Sequence, residues 1–425
     1  MPPQDARAEP ARGVDHPPSA PGQPGASVQP DRHRAGGEPV EVPELATGPV
    51  GSRIGIYVHC LFCTRRCPYC DFNVAVYRED RIGPFVTALG QELERYAALP
   101  WAGRVPVVSL FFGGGTPSLL PPAAIGGVID AARRGLGLTA DAEVTLEANP
   151  EGLDRDRLRA LRAAGVTRLS LGVQALDDGL LQRLGRTHSA ADAEAAFRAA
   201  REAGFEDVSV DLLYACPGQD LETWTRTLDA VLTWAPEHLS AYALTLEPAT
   251  PFGRRPPAGL PDEDLQVAQF DALVDRTARA GLERYEVSNF ARPGRRSRHN
   301  LGYWRRGDYI GLGPGAHGAL GALRYWTQRS EPRWRAAILG GGWAITGWER
   351  LSQRQVTAER LILGLRLVDG VPREALERHL ADIASLPSPG LARYVAAGLM
   401  AVRDGRVTLT DRGVLVSDAI FADLV

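Results

Sequence analysis

Short apolar segments rich in β-branched residues alternate with amphipathic segments from residue 53 onward. A strand followed by a helix, repeated several times, is typical of βα units arranged around a parallel sheet. Six such repeats predict a barrel or partial barrel rather than a two-layer sandwich. The predicted strands are residues 54–59, 107–113, 143–148, 167–173, 207–213 and 239–246, and the predicted helices are residues 84–96, 123–135, 155–164, 190–203, 221–234 and 264–280.

Unusual residues gather where these predicted strands end. A cysteine cluster follows the first strand and a run of three glycines follows the second. Glu147, Gln174 and Asp211 belong to the ends of the next three strands, and residues 242–247 follow the sixth. In barrels of parallel strands the chemistry lies at the carboxyl ends of the strands, where the loops emerge. We therefore expect all six loops to face one mouth.

Composition excludes several classes of function. The 48 basic and 51 acidic side chains leave a net charge of −3, which argues against a nucleic-acid binder. The chain has no lysine, so a lysine Schiff base, a lysine general base and a Gly-Lys-Ser/Thr phosphate loop are excluded. The sequence shows no membrane-spanning apolar stretch and no signal-peptide pattern. We expect a cytoplasmic protein with at most peripheral membrane contact.

Four regions are predicted along the chain. Residues 1–50 are rich in Pro, Gly, Ala and scattered charge, which predicts a disordered tail. Residues 51–285 form the partial barrel, residues 286–355 a loop-rich linking segment, and residues 356–425 a small helical domain. The last region resembles a winged-helix-like module, with helices near residues 357–367, 373–380, 391–397 and 411–424 and a strand at residues 406–409.

Four of the five cysteines lie within eleven residues, a pattern unlike a disulfide framework in so long a chain. Cys63, Cys67 and Cys70 have the close spacing of thiolates that hold an iron–sulfur cluster. If only three cysteines ligate a [4Fe–4S] cube, one iron stays open for a cofactor or substrate. The alternative is a zinc site with Cys60 as the fourth ligand, although zinc-binding cysteine pairs are usually about a dozen or more residues apart.

The cysteine spacing resembles the signature of radical S-adenosylmethionine enzymes. Further motifs resemble, in the same order, the oxygen-independent coproporphyrinogen oxidase-like family. The resemblance covers roughly residues 53 to 424. The motifs that carry it are residues 57–59, 63–73, 113–118, 147–150, 172–174, 185–188, 211–214, 217–219, 285–290, 297–300, 303–304 and 311–317.

This resemblance implies an α/β fold, namely a radical S-adenosylmethionine partial (β/α)6 barrel with a small C-terminal helical, winged-helix-like domain. It also implies a [4Fe–4S] cluster on Cys63, Cys67 and Cys70 whose open iron is chelated by S-adenosylmethionine. Glycines let backbone N–H groups approach the cofactor because no Cβ blocks them. The residues implied in cofactor binding are Tyr57, Tyr69, Gly114, Gly115, Thr116, Glu147, Gln174, Arg186 and Asp211.

Each of the polar residues in that set has a physical reason to be there. Glu147 and Arg186 suit the amino and carboxylate groups of the methionine part. Gln174 and Asp211 suit hydrogen bonds with the ribose hydroxyls. Cys216, far from the cluster in sequence, is expected to be a buried structural thiol.

One position separates two branches of the family. The oxidases carry a fourth cysteine two positions after the third, where this chain has Phe72. The resemblance is therefore to the heme chaperone branch, with heme and acceptor hemoproteins, for example of a respiratory chain, as partners. The alternative function is an oxygen-independent coproporphyrinogen III oxidase. Enzymatic activity and oligomeric state stay open.

The heme ligand stays open as well. Axial heme ligands are typically His, Cys or Met. Arginines in a loop can pair with heme propionates. The candidate ligands are His59, His188, His299, His317 and Met400, and the candidate propionate partners are Arg295, Arg296 and Arg298.

Overall fold

The computed structural model describes residues 33–34, 40, 42–383 and 390–424. Within this part six parallel strands, β1 to β6, pair in chain order, and each overlaps a predicted strand. The predicted α/β partial barrel is therefore confirmed. The strands are Ile54–Cys60, Val107–Gly114, Leu138–Ala148, Arg168–Gln174, Val208–Tyr214 and His238–Ala243.

Helices follow the strands and cover the sheet. Local signals set their ends: Asp154 and Asp220 cap the starts of two helices by accepting a backbone N–H. Gly165 and Gly204, both with a positive φ, follow the ends of the helices Arg155–Ala163 and Ala190–Glu202. None of the helices in the described ranges is both long and apolar enough to cross a membrane. The six main helices, α1 to α6, are Glu79–Ala97, Pro122–Leu136, Arg155–Ala163, Ala190–Glu202, Leu221–Thr233 and Glu263–Arg279.

Residues 286–355 contain more regular structure than the loop-rich segment that we expected. Asp308–Leu312 is a seventh parallel strand, and it lies beside β1. Three antiparallel strands, His317–Leu320, Leu323–Thr327 and Ile345–Arg350, continue the sheet outward from it. These strands are only four to six residues long, and the first of them pairs with β1 from far away in sequence, so local periodicity does not reveal them.

On the other side of the barrel, Asn289–Ala291 pairs antiparallel with β6. Glu283–Arg284 pairs with Asn289–Ala291 and ends the sheet. The sheet therefore stays open in the described residues, with antiparallel strands at both edges. Two helices, Arg298–Trp304 and Glu331–Leu339, complete this region.

The C-terminal region is helical with a small three-stranded sheet, in agreement with the winged-helix-like prediction. Its last predicted helix is divided at Val416, whose φ of −120° is not helical. Arg306 pairs with Glu359 at 2.9 Å and joins this region to the barrel side. The helices are Gln353–Leu365, Arg373–Ile383, Leu391–Ala396, Asp411–Leu415 and Ser417–Ala422, and the strands are Val371–Pro372, Met400–Arg403 and Arg406–Leu409.

Most of residues 1–50, predicted to be a disordered tail, lies outside the described residues. Where this region is described, it is ordered: Pro43–Thr47 forms a short 3-10 helix, and Leu45 is 2% exposed. The indole N–H of Trp101 donates to the carbonyl of Leu45 at 2.8 Å. An average composition hides such a contact, because a few apolar residues suffice to anchor a polar segment on a distant surface.

Removing residues 1–32, which keeps the His33–Arg34 strand paired with Trp348 and Gly347, is expected to leave the thermal midpoint nearly unchanged, whereas removing residues 1–50 lowers it by several degrees. The longer deletion exposes the surface that Val42 and Leu45 cover, and each buried aliphatic side chain contributes about 2 kcal/mol. Circular dichroism melts of the two truncated chains make the comparison. Equal midpoints for both would contradict the anchoring role of Leu45.

Candidate functional site

A cavity of about 190 Å³ opens at the carboxyl ends of the barrel strands. Of the twelve predicted site residues, eleven line it. Every loop that follows a barrel strand therefore supplies part of one site, as predicted. The eleven residues are Cys63, Cys67, Tyr69, Cys70, Gly114, Gly115, Thr116, Glu147, Gln174, Arg186 and Asp211.

The loop after β1 brings three free thiols to the cavity. Cys63, Cys67 and Cys70 are partly exposed, and burial raises the pKa of Cys63 and Cys70. The hydroxyl of Thr116 donates to the sulfur of Cys63 at 3.6 Å, and the guanidinium of Arg186 donates to that of Cys67 at 3.8 Å. Metal coordination removes the proton of a ligating thiol even where burial disfavours its loss. The loop thus offers a set of thiolates suited to an iron–sulfur cluster.

Cys60 is separated from these three thiols. Its side chain is 1% exposed and packs in the hydrophobic core beneath the loop. It does not line the cavity. Cys216 is likewise fully buried and lies in a small apolar cluster. The geometry therefore favours the three-thiol arrangement over the paired-knuckle alternative.

The glycine run at the end of β2 lies directly against the cysteine loop. The N–H of Gly115 donates to the Cys60 carbonyl at 2.8 Å, and the N–H of Thr116 donates to the Phe62 carbonyl at 2.7 Å. A Cβ on Gly115 would come within 2.7 Å of both carbonyl oxygens. A Cβ on Gly114, whose φ is +105°, would come within 2.5 Å of the His59 ring. The glycines are thus needed for chain packing, and their N–H groups already have protein partners.

Arg186 connects the third and fourth loops to the cysteines. Its guanidinium donates to the Asn149 side chain at 2.5 Å and to the Gly172 carbonyl at 3.0 Å. Asn149 in turn donates to the Thr116 hydroxyl at 3.0 Å. The Nε of Arg186 is buried and has no hydrogen-bond partner within the described ranges. This donor is the kind of group that a cofactor carboxylate satisfies.

Asn149 is a site residue that sequence reasoning passed over. It belongs to the motif of residues 147–150 from which we selected Glu147, so that motif could have identified Asn149 as a site residue. Its amide donates to Thr116 and accepts from Arg186, a pairing that a carboxylate could not make. Ser170 and Tyr242 also line the cavity and were not individually predicted.

Two carboxyl groups also line the cavity. Glu147 accepts the N–H of Gly114 at 3.0 Å, and burial with the nearby Asp211 raises its pKa to about 8. Asp211 accepts the hydroxyls of Ser170 at 2.8 Å and Ser209 at 3.2 Å, while burial raises its pKa. These donors fix the orientation of the Asp211 carboxyl group, so its remaining lone pairs point in a defined direction.

Gln174 reaches the cavity through an irregularity in β4. Its φ is +66°, and the pairing of β4 with β5 shifts register between Gly172 and Gln174. A left-handed conformation at a residue with a side chain costs about 1–2 kcal/mol and is kept where it serves the site. The bulge turns the Gln174 side chain into the cavity.

Tyr57 is the one predicted contact that the cavity does not include. Its ring is 5% exposed and packs beside Phe111 at 6.2 Å between ring centroids. Its hydroxyl lies 3.1 Å from Nδ1 of His59. Tyr57 therefore supports the barrel interior, whereas Tyr69 lines the cavity.

Two of the candidate heme ligands use both ring nitrogens in hydrogen bonds, and His188 uses one. His59 contacts Tyr57 and the Asn73 carbonyl, and His299 contacts Ser109 and Tyr303. His188 contacts the Val173 carbonyl and pairs with Glu151. Met400 is 2% exposed in the core of the C-terminal region. His317 is partly exposed, and the arginines predicted for propionates form ion pairs: Arg295 with Asp207, Arg296 with Asp369 and Arg298 with Asp141.

Comparison with known proteins defines the class. Residues 57–231 match the Radical SAM superfamily, and residues 351–416 match the HemN C-terminal domain. The solved structure of the coproporphyrinogen III oxidase HemN from Escherichia coli, a radical SAM enzyme, superposes with a TM-score of 0.76. It is 25% identical, and the match covers 89% of this chain and 90% of that one. The fold is thus that of a radical SAM protein.

Identity in sequence gives the particular family. The chain is 38% identical to the heme chaperone HemW of Mycobacterium tuberculosis over 91% of its length and 98% of that protein. It is 36% identical to the heme chaperone HemW of Escherichia coli, over 86% of its length and 97% of the relative. The chain belongs to the HemW family of radical SAM proteins.

Replacing Cys63, Cys67 or Cys70 with Ala is expected to abolish the brown chromophore and bound iron of protein reconstituted without oxygen. Cys60→Ala should retain both, because Cys60 lies in the core. Iron analysis and absorption spectra measure the outcome, with circular dichroism as the check on folding. Loss of the cluster in folded Cys60→Ala protein, or zinc in place of iron, would refute the three-thiol site.

Gln174→Gly is expected to raise the free energy of unfolding by about 1 kcal/mol while weakening S-adenosylmethionine binding. Glycine relieves the left-handed strain but removes the side chain from the cavity. Ala235→Gly is the matched control, since Ala235 has a φ of +55° on the exposed surface, and it should change stability alone. Urea unfolding and calorimetric titration measure the two effects. Unchanged cofactor affinity in Gln174→Gly would contradict the role of Gln174 in cofactor binding.

Proposed function

We propose that this chain is a heme chaperone that carries a [4Fe–4S] cluster and S-adenosylmethionine and delivers heme to acceptor hemoproteins. The observation that carries the proposal is Phe72, which lines the cavity at the position where the oxidases have their fourth cysteine. The names of relatives that match over nearly the whole chain support it. The cytoplasm is the proposed location, and hemoproteins of a respiratory chain are proposed acceptors.

The residues of the cavity fit the two cofactors of this class. Cys63, Cys67 and Cys70 would ligate three irons of the cluster, which when bound supplies an electron for reduction of S-adenosylmethionine. The unpartnered Nε of Arg186 would donate to the carboxylate of the methionine part, and Glu147 would accept from its amino group. Asp211 and Gln174 would hold the ribose hydroxyls.

The same cavity is also compatible with a second function, that of an oxidase. The structural likeness to HemN favours an oxygen-independent coproporphyrinogen III oxidase as the alternative. An oxidase needs a pocket complementary to the transition state of its porphyrinogen substrate, in addition to a cluster. Phe72 makes the cavity of this chain different at the position of the oxidases' fourth cysteine.

Protein reconstituted without oxygen is expected to bind hemin, to transfer it to an apo-hemoprotein, and to leave coproporphyrinogen III unchanged in the presence of S-adenosylmethionine and a reductant. Absorption spectra of the acceptor follow the transfer, and chromatography of porphyrins follows the conversion. Transfer has to be measured because hemin also adheres to apolar surfaces. Formation of protoporphyrinogen by the unaltered chain would overturn the chaperone proposal.

Phe72→Cys is the companion variant. Restoring a thiol should not create the oxidase, because the substrate pocket is not restored with it. Heme transfer by this variant is measured in the same assay. Retained transfer shows that the variant is folded and that heme delivery does not need the aromatic side chain. Oxidase activity gained by this single change would show that the cavity already accepts the porphyrinogen.

A further inference from the structure

We propose that three buried side chains position the Asp211 carboxylate for the ribose of S-adenosylmethionine through an oriented chain of hydrogen bonds. The three are Ser209, His238 and Tyr285, and none of them lines the cavity. They are therefore positioning residues, which act on the cofactor only through Asp211. This inference rests on the S-adenosylmethionine site of the proposed function and names residues behind that site on which it depends.

The register of the sheet brings the chain together. Ser209 and Asp211 are two residues apart in β5, so their side chains point to the same face of the strand. His238, the first residue of β6, is the direct partner of Ser209 in the pairing of the two strands. Tyr285 comes from the edge of the sheet, where its N–H donates to the carbonyl of Asn289 in the strand that pairs with β6. Three separate segments thus meet behind Asp211.

The contacts form one continuous line. The Ser209 hydroxyl lies 3.2 Å from Oδ1 of Asp211 and 2.8 Å from Nδ1 of His238. Nε2 of His238 lies 2.9 Å from the Tyr285 hydroxyl. Ser209, His238 and Tyr285 are each at most 1% exposed. Because a hydroxyl and a neutral imidazole each donate one proton and accept another, the direction of one bond in this line sets the direction of the next.

The direction follows from the carboxylate. Ionised Asp211 can only accept, so the Ser209 hydroxyl donates to it and the Ser209 oxygen accepts from Nδ1–H of His238. Burial, with Arg168 nearby, holds the pKa of His238 well below its ordinary value, so the ring is neutral. Its other nitrogen, Nε2, is then an acceptor and takes the proton of the Tyr285 hydroxyl. All three hydrogen bonds point toward Asp211 and stabilise its ionised form.

Asp211 needs this support because its surroundings disfavour charge. Burial raises its pKa, and hydrogen bonds from the hydroxyls of Ser240, Ser170 and Ser209 oppose that rise. An ionised carboxyl group offers both of its oxygens as acceptors to a pair of ribose hydroxyls. The other titratable or charged groups that face Asp211 or His238 are Glu147 of β3, Arg168 of β4, Tyr242 of β6 and Tyr285.

The barrel holds a second set of the same three residue types with the same geometry. The Ser109 hydroxyl lies 2.9 Å from Nδ1 of His299, and Nε2 of His299 lies 2.9 Å from the Tyr303 hydroxyl. All three are 3% exposed. Among the residues that the structure describes, however, no carboxyl group accepts from Ser109. The second set therefore supplies a matched control for each substitution in the first.

Ser209→Ala is expected to weaken S-adenosylmethionine binding to the reconstituted protein about tenfold, because Asp211 loses a donor to its charged form. Tyr285→Phe should weaken it about threefold. The controls Ser109→Ala and Tyr303→Phe remove the same atoms from the same kind of buried contact and should leave the affinity unchanged. Calorimetric titration without heme measures affinity, and urea unfolding measures stability. Equal losses of affinity in both members of each pair would reduce the effect to general destabilisation and overturn the inference.

The pH dependence of binding separates positioning from a merely structural role. A donor to an ionised carboxyl group lowers its pKa, so removal of the Ser209 hydroxyl raises the pKa of Asp211. The pH below which S-adenosylmethionine affinity falls should therefore lie about one unit higher in Ser209→Ala than in the unaltered chain. Ser109→Ala should follow the unaltered chain. Glu147 is present in all three proteins, so the difference between them reports on Asp211, and identical profiles would contradict the chain.

The direction of the chain can be tested on the unaltered protein. Nitrogen NMR of protein labelled with 15N-histidine and saturated with S-adenosylmethionine should show the ring proton of His238 on Nδ1. The signal is identified by its absence from the His238→Asn variant. A proton on Nε2 would mean that the chain points away from Asp211, and would overturn the inference even where Ser209→Ala fails to fold.

Asp211→Ala distinguishes failure of the chain from failure of the site. Weakened S-adenosylmethionine binding in Asp211→Ala with normal binding in Ser209→Ala would overturn the chain and leave the ribose contact in place. Normal binding in Asp211→Ala would refute the ribose contact and the chain with it. Absence of S-adenosylmethionine binding to the unaltered, reconstituted protein would instead refute the cofactor site of the proposed function.

Discussion

The contact between the glycine run and the carbonyl groups at the end of β1 is the constraint on which the site depends. Gly115 and Thr116 donate to the carbonyls of Cys60 and Phe62, so the start of the cysteine loop is held by the backbone of the next strand. The far side of the loop is fixed in the same way, since the N–H of Ala75 donates to the Leu61 carbonyl and that of Tyr77 to the Cys63 carbonyl. The thiols are therefore positioned by backbone hydrogen bonds that no side-chain substitution among Thr64, Arg65 and Arg66 removes, which leaves those positions free to vary in charge.

Much of this architecture could be predicted because its signals are local. The six barrel strands and their helices follow from alternating apolar segments, and Gly165 and Gly204 mark helix ends in the sequence as in the structure. The residues proposed to bind the cofactor were named by the family resemblance, and most of them meet in one cavity because parallel strands present their carboxyl ends at one mouth. Asn149 was missed although its motif was recognised, because its role as both donor and acceptor depends on partners from two other loops.

Other features depend on contacts between distant segments and leave no periodic signal. The strand Asp308–Leu312 finds its place only by pairing with β1, and five residues that include a glycine give too little pattern to predict it. Leu45 is anchored by Trp101 within a segment whose composition predicts disorder. Tyr57 precedes the cysteines in sequence and yet packs beside Phe111, because the two residues are direct partners in the pairing of β1 with β2 and lie three residues before the end of each strand.

The loop between Cys63 and Phe72 supplies thiols, charged side chains and an aromatic ring to the same cavity. Its thiols face inward, where Arg186 and Thr116 donate to two of them, while Arg65 and Arg66 face solvent from the same short segment. A fourth cysteine at position 72 would add a fourth thiol to the lining of the cavity. Phenylalanine there leaves the three thiols of the loop in the cavity lining and places an aromatic side chain beside them, so this chain carries an apolar group at the position of the oxidases' fourth cysteine.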